Sequence, residues 1–214
     1  KHRPNPERCV AAYQYLERKA QRTDFQQQHQ RSDTERKPLM RRLILAGIAA
    51  TALAACSTPQ ATQYFTLPDS QYSLPPQRGS EIAVRVILSE PLNNGGLVYQ
   101  TDAYRINFAR NHLWASALDN ALAASFSNKL NRLNSRYRFT PANRSSVGAP
   151  TLKIYIEAFQ GSYQGQTLVR GYSVWPDGQS RNFNAETPQQ GDGYTAMVES
   201  LNEGVATAAG TIVR

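Results

Sequence analysis

Apolar positions in this chain alternate in two stretches and recur at helical spacing in two others. From Glu81 to Glu90, Ile82, Val84, Val86 and Leu88 fall on one face, the pattern of a strand with one side buried. Thr151 to Ala158 alternates in the same way through Leu152, Ile154 and Ile156. A helix is predicted over about 117–134, where Leu118, Ala121, Leu122, Phe126, Leu130 and Leu133 line one face. Ser116-Ala117-Leu118-Asp119 reads as its capping box, with Asp in the third helical position. A second helix is predicted over 193–213, with Tyr194, Met197, Val198, Leu201, Val205, Ala208 and Ile212 turned inward.

Shorter signals fill in the rest. Gln63 to Pro68 is β-like and ends on proline, and Asn93-Asn94-Gly95-Gly96 is a turn signal. Leu97 to Thr101 and Tyr104 to Ala109 read as a hairpin, and Arg136 to Thr140 as a further strand. Gln166 to Trp175 and Gln179 to Ala185 form a second hairpin, turned at Pro176-Asp177-Gly178. The fold class expected is α/β: a mixed β-sheet packed by two main amphipathic helices, in a single compact domain over 63–214.

Ahead of that domain the pattern is of another kind. Met40-Arg41-Arg42 is a positive start, Leu43 to Ala55 is an unbroken run of apolar and small residues, and Cys56 follows. As a helix those thirteen residues would span about 20 Å, against a hydrocarbon core of about 30 Å. The run therefore reads as a signal peptide over 40–55 rather than a membrane span. Leu53, Ala54, Ala55 and Cys56 resemble a lipobox, at which bacterial lipoproteins receive a diacylglyceryl thioether before cleavage ahead of the cysteine. The chemistry needs a thiol because the thiolate is the nucleophile that accepts the lipid. Cys56 is thus the expected lipid attachment site, and 56–62 a lipidated linker. Residues 1–39 are polar and without apolar periodicity, and read as an upstream extension absent from the mature protein. Either Met40 is the real initiator or the extension is discarded on cleavage.

Charge sharpens this division. The formal charge of +8 is mostly in the leader: eleven Lys/Arg against five Asp/Glu precede Cys56, and thirteen against eleven follow. Phosphate neutralisation supplies most of the affinity of nucleic-acid binders, so a nearly balanced domain argues against that class, and no nucleic-acid partner is expected. Cys9 and Cys56 are the only cysteines, which leaves the domain without an internal disulfide.

Candidate chemistry is sparse. His112 is the only histidine after Cys56, and beside Asn111 it reads as a loop residue. The chain has no Gly-x-Ser-x-Gly elbow, no metal-ligand spacing and no phosphate loop. An enzyme is not expected, nor a catalytic residue, metal or cofactor. Tyr99, Tyr104, Trp114, Tyr155, Phe159, Tyr163, Tyr172 and Trp175 are mostly expected to fill the core. Tyr163, Tyr172 and Trp175, on the long hairpin, are the candidate partner interface, because aromatic residues dominate interface hot spots. Arg132, Arg136, Arg138 and Arg144 are expected to form a solvated face.

Several of these segments together resemble the ABC-type transport auxiliary lipoprotein family. They are the lipobox, Tyr64-Phe65-Thr66-Leu67-Pro68, Gly96-Leu97-Val98-Tyr99-Gln100-Thr101, Leu113-Trp114-Ala115-Ser116-Ala117-Leu118-Asp119 and Asp192-Gly193-Tyr194. Within them Tyr99, Trp114, Ser116, Asp119 and Tyr194 are expected to be structural. Ala117 departs from the family, which has proline there; proline suits a first helical turn, so alanine loses preorganisation but no chemistry. The resemblance implies an outer-membrane lipoprotein of a Pqi-type (MCE) intermembrane lipid transport system, contributing to envelope integrity. Its partners would be a PqiB-like MCE tunnel protein and a PqiA-like inner-membrane protein, and the lipoprotein itself would form a homo-oligomeric ring. A stand-alone periplasmic lipid-binding carrier is the alternative.

Overall fold

Among the described residues, eight strands and two long helices form in the order that the apolar pattern predicts. The computed structural model describes residues 61–76 and 79–213; Leu53, Ala54, Ala55 and Cys56 lie outside the described residues. The strands are β1 (Gln63–Phe65), β2 (Ser80–Leu88), β3 (Gly96–Gln100), β4 (Ile106–Trp114), β5 (Tyr137–Pro141), β6 (Thr151–Gly161), β7 (Gln166–Val174) and β8 (Ser180–Pro188). The helices among the described residues are α1 (Leu118–Leu133) and α2 (Gly193–Ile212), and a 3₁₀ turn spans Glu90–Asn94.

All eight strands join one mixed sheet. Strand β6 is its spine: β2 runs parallel to its first half, β3 meets its last residue through Tyr99 and Gly161, and β7 runs antiparallel along its other side. Parallel β5 closes the edge beyond β2, antiparallel β8 the edge beyond β7, and β4 followed by the short β1 extends the sheet from β3. The fold is therefore α/β with a mixed sheet and two helices, as the patterning implied.

Both helices cover the same face. Helix α1 packs on β2 and β5, α2 on β6, β7 and β8, and the two helices touch each other. Val84, Leu152, Ile154 and Ile156 meet Leu122, Phe126, Leu130, Leu201, Val205 and Ile212 in one core. Close approach of α2 to the sheet requires glycine at Gly204, where an added Cβ would lie 2.7 Å from a Val169 methyl.

Three local expectations are corrected. Helix α1 begins one residue later than its predicted capping box allows, with Ala117 at the N-cap and no side-chain cap. Asp119 accepts from the neighbouring Asn120 N–H at 2.8 Å, and Ser116 is exposed. Leu133, expected inward, is exposed because it falls on the last residue of α1, past the sheet. His112 is part of β4, not a loop, because β1 pairs with that strand in register from His112 to Trp114.

Periodicity also did not anticipate how deeply α1 is buried. Every residue from Ala121 to Asn131 is buried, the polar Ser125, Ser127, Asn128, Lys129 and Asn131 included. The strap from Leu67 to Ser73 covers the side that faces away from the sheet. Asn128 donates to the Asp69 and Gln71 carbonyls at 3.0 and 2.7 Å and accepts from the Ser73 N–H. Lys129, only 5% exposed, donates to Asp69 Oδ2, Ser125 Oγ and Asn202 Oδ1, at 3.2, 3.1 and 2.8 Å. Its three protons are thereby satisfied, and the contacts join the strap, α1 and α2. Burial works to raise the Asp69 carboxyl, but Arg132 and Lys129 outweigh it and hold that group below its ordinary range. Burial lowers the Lys129 ammonium, which Asp69 only partly offsets.

Candidate functional site

The family-like segments converge at the end of the sheet where β1 enters. Tyr99 is the last residue but one of β3, Phe65 closes β1, His112 stands on β4, and Tyr194 is in the first turn of α2. The Tyr194 ring stacks on His112 with centroids 4.0 Å apart, and packs at 6.1 Å from Phe65 and 6.2 Å from Tyr99. Asn107 Nδ2 donates to the Tyr99 hydroxyl at 2.9 Å, which fixes that ring from the strand side. Burial, with the adjacent Tyr99 hydroxyl adding to it, pushes the Tyr194 phenol above its ordinary range.

The backbone into α2 is built to bring Tyr194 there. Gly191 and Gly193 both take positive φ, 105° and 85°, where a side chain would be strained. The Gln189 amide donates to the carbonyls of both, at 2.9 and 3.2 Å, and so holds the bend. Opposite, a Cβ on Gly161 would sit 2.6 Å from Met197 Sδ, so glycine lets β6 end against the helix.

Between these elements lies a cleft of about 240 Å³ lined by Tyr99, Tyr163, Tyr194, Met197, Ser162 and Gln189. Its groups are phenols, an amide, a hydroxyl and a thioether, with no nucleophile beside a base. Such a set can receive an apolar or aromatic group and orient it by hydrogen bonds. Among the described residues, no group of three His, Cys, Asp or Glu is placed to hold a metal. Removing the Tyr194 ring, as in Tyr194→Ala, deletes three aromatic contacts and is expected to cost about 2 kcal/mol. Tyr194→Phe keeps the rings and should cost under about 1 kcal/mol. Urea unfolding would separate the two, and equal losses would show that the hydroxyl rather than the ring holds the cluster.

The three interface candidates are not brought together. Tyr163 is exposed on the turn from β6 to β7, at the rim of the cleft. Tyr172 is half-buried on the face away from the helices, stacked on Tyr155 at 4.6 Å. Trp175 is 4% exposed and packs between Tyr137 and Phe139, with centroids 6.1 Å apart in both cases. The end of β7 turns its ring inward, so it presents no surface to a partner. Trp114 is likewise core, 5.8 Å from Phe159, and half-buried Asp119 stands beside it on the wall of a second cleft of about 360 Å³. The arginines do not form one solvated face: Arg132 pairs with Asp69, Arg138 with Glu81 at 3.5 Å, and Arg136 lies over the Tyr137 ring.

Residues 65–213 match the model of the ABC-type transport auxiliary lipoprotein component. The chain belongs to that family. The match begins at Phe65, in the aromatic cluster, and takes in the family-like segments from Tyr99 to Tyr194. Intermembrane transport lipoprotein PqiC of Escherichia coli (strain K12) is 32% identical over 170 residues, covering 73% of this chain and 88% of that protein. PqiC of Shigella flexneri matches to the same extent. Among solved structures, one described as an uncharacterized protein is 29% identical, with TM-score 0.58, and covers 72% of this chain and 98% of its own. A Xanthomonas campestris protein at 10% identity and TM-score 0.50, covering 69% and 90%, shares the fold. The family is a transport auxiliary family, not one of enzymes.

Proposed function

We propose that this chain is the lipid-anchored auxiliary subunit of a Pqi-type (MCE) intermembrane lipid transport system. Acylated at Cys56 and held at the periplasmic face of the outer membrane, it docks the periplasmic tunnel to that membrane. The observation that carries this reading is the similarity to PqiC along most of both chains, together with a family match over 65–213 that takes in the residues of the aromatic cluster. The cleft under Tyr163 adds a chemical reason, since rigid aromatic anchors around a pocket are what interface hot spots use. A PqiB-like tunnel protein is the expected partner at that cleft, and a PqiA-like inner-membrane protein completes the system. A ring of copies would match the tunnel's symmetry.

Co-purification of the full chain with the tunnel protein from envelopes in mild detergent tests the proposal. Tyr163→Ala should reduce retention of the tunnel protein about tenfold or more while leaving the fold intact, because a hot-spot truncation costs about 2 kcal/mol. Reproducible absence of the partner from wild-type protein would sink the reading. The stand-alone carrier draws less support, because the clefts of about 240 and 360 Å³ are open notches at the low end of sites for drug-sized ligands, well short of two acyl chains.

A further inference from the structure

Away from the helices, the sheet carries an apolar patch at the corner where the chain enters the domain. Along β3, Gly96, Val98 and Gln100 share a face, and their partners Leu113, Phe108 and Ile106 share it with them, the register shift between the first two pairs being taken up by extra residues of β4. Tyr64 is in register with Leu113 and joins the same face. Phe65, Tyr99 and His112 take the opposite one, against Tyr194. Tyr64 is 67% exposed, Ile106 41% and Phe108 37%, and Tyr104, in the hairpin loop beside them, is 96% exposed. Exposed Arg110 flanks the patch, and Arg105 beside it is paired with Asp102 of the same loop.

The tether decides what could meet it. Seven residue steps separate Cys56 from Gln63, the first residue of β1, and a chain of that length reaches at most about 25 Å when fully extended. If Cys56 is acylated, β1 and its neighbours are held within that distance of the bilayer. Tyrosine rings with aliphatic side chains and arginine are the composition that partitions to the headgroup region of an anionic membrane. We infer that the face formed by Tyr64, Tyr104, Ile106 and Phe108 lies against the surface of the membrane that holds the anchor, with Arg110 meeting acidic headgroups. This rests on the acylation of Cys56 proposed above. It gives the anchored domain an orientation: one face of the sheet toward lipid, and the helices and the Tyr163 cleft on other surfaces, free for protein partners.

The test uses the full chain carrying Phe108→Cys, extracted from membranes, labelled there with an environment-sensitive fluorophore, and reconstituted into phosphatidylethanolamine–phosphatidylglycerol vesicles that contain spin-labelled lipid. A Val147→Cys chain, labelled in the exposed loop before β6, serves as the reference, and intact mass establishes acylation of each preparation. The expected result is an acylated mass with lipid quenching at 108 and none at 147. An acylated mass without quenching at 108 overturns the orientation and leaves the anchor standing. Concentration-dependent blue-shifted emission at 108 that the lipid does not quench overturns it in favour of a second copy of the chain. A mass without acyl chains overturns the anchor, and the orientation with it.

Discussion

Asp69→Asn is expected to destabilise the domain by about 3 kcal/mol, the lower end of what removing one partner of a buried ion pair costs. The substitution isolates charge. Asn has the shape of Asp and tolerates the left-handed backbone that Asp69 adopts at φ 63°, so the turn from Leu67 to Ser70 need not change. What changes is the surroundings of Lys129, whose side chain is 6% exposed and, among the described residues, is paired with the carboxylate of Asp69. The ammonium keeps its bonds to Ser125 and Asn202 but loses its counter-charge while itself remaining almost fully buried. Arg132 suffers less, being largely exposed. Adding Lys129→Met removes the stranded charge. The double variant should therefore be more stable than Asp69→Asn alone, and strictly additive losses would refute coupling.

The same pair gives a pH dependence with a definite sign. Asp69 titrates below its ordinary 3.8 in the folded domain, so the folded state favours the ionised carboxylate. That contribution is complete above about 3.8 and fades as pH falls through the lower folded value. The stability gap between wild type and Asp69→Asn should thus narrow in acid below that point. A constant gap down to full acid unfolding would mean that the loss comes from shape and not from charge.

Elements with a strict apolar period were legible in the sequence, and the particular reasons others were not are physical. Strand β2 is buried on one face through Ile82, Val84 and Val86, and α2 turns its apolar stripe to the sheet, because burial of one face is what the pattern encodes. Helix α1 shows the same stripe but hides its polar side as well. That side is closed by a strap some 60 residues earlier in the chain, a pairing that no local window contains. Trp175 looked available because it ends a strand next to a Pro-Asp-Gly turn, yet Tyr137 and Phe139 close over it from β5. Asp192-Gly193-Tyr194 was visible as a motif. Its role was not, since stacking Tyr194 on His112 required knowing that β4 runs on through residue 112 to Trp114.

The cleft and the apolar patch occupy opposite faces of the same corner of the sheet, and strand alternation explains how one short stretch serves both. Phe65 points to the helix side while Tyr64 points away, and Tyr99 does the same against Gln100. A slip of one residue in β1 would exchange the two faces, burying Tyr64 and exposing Phe65. The irregularity in β4 between Phe108 and Leu113 matters for the same reason. It takes up extra residues, so that His112 and Trp114 face the core although Phe108 faces out.

Gly171→Ala is expected to cost about 4 kcal/mol or more, well above the ordinary range for a single added methyl. A Cβ at this position would lie 1.9 Å from the Tyr155 carbonyl oxygen and 2.9 Å from the Phe183 ring. The first obstacle is backbone, and no rotamer change relieves it. Strands β6 and β7 would have to separate where they form the centre of the sheet, next to the irregularity after Ile156, the residue that pairs with Gly171. Glycine inside a strand often marks such a bulge and close approach. By contrast, Gly178→Ala alters a turn where nothing lies within 4 Å of the new carbon, and only the positive φ of 83° opposes it. That variant should lose about 1 kcal/mol. Urea unfolding of both variants separates steric exclusion by the sheet from backbone preference. Equal losses at the two positions would show that β6 and β7 can part without cost, and that the spine of the sheet is looser than its burial implies.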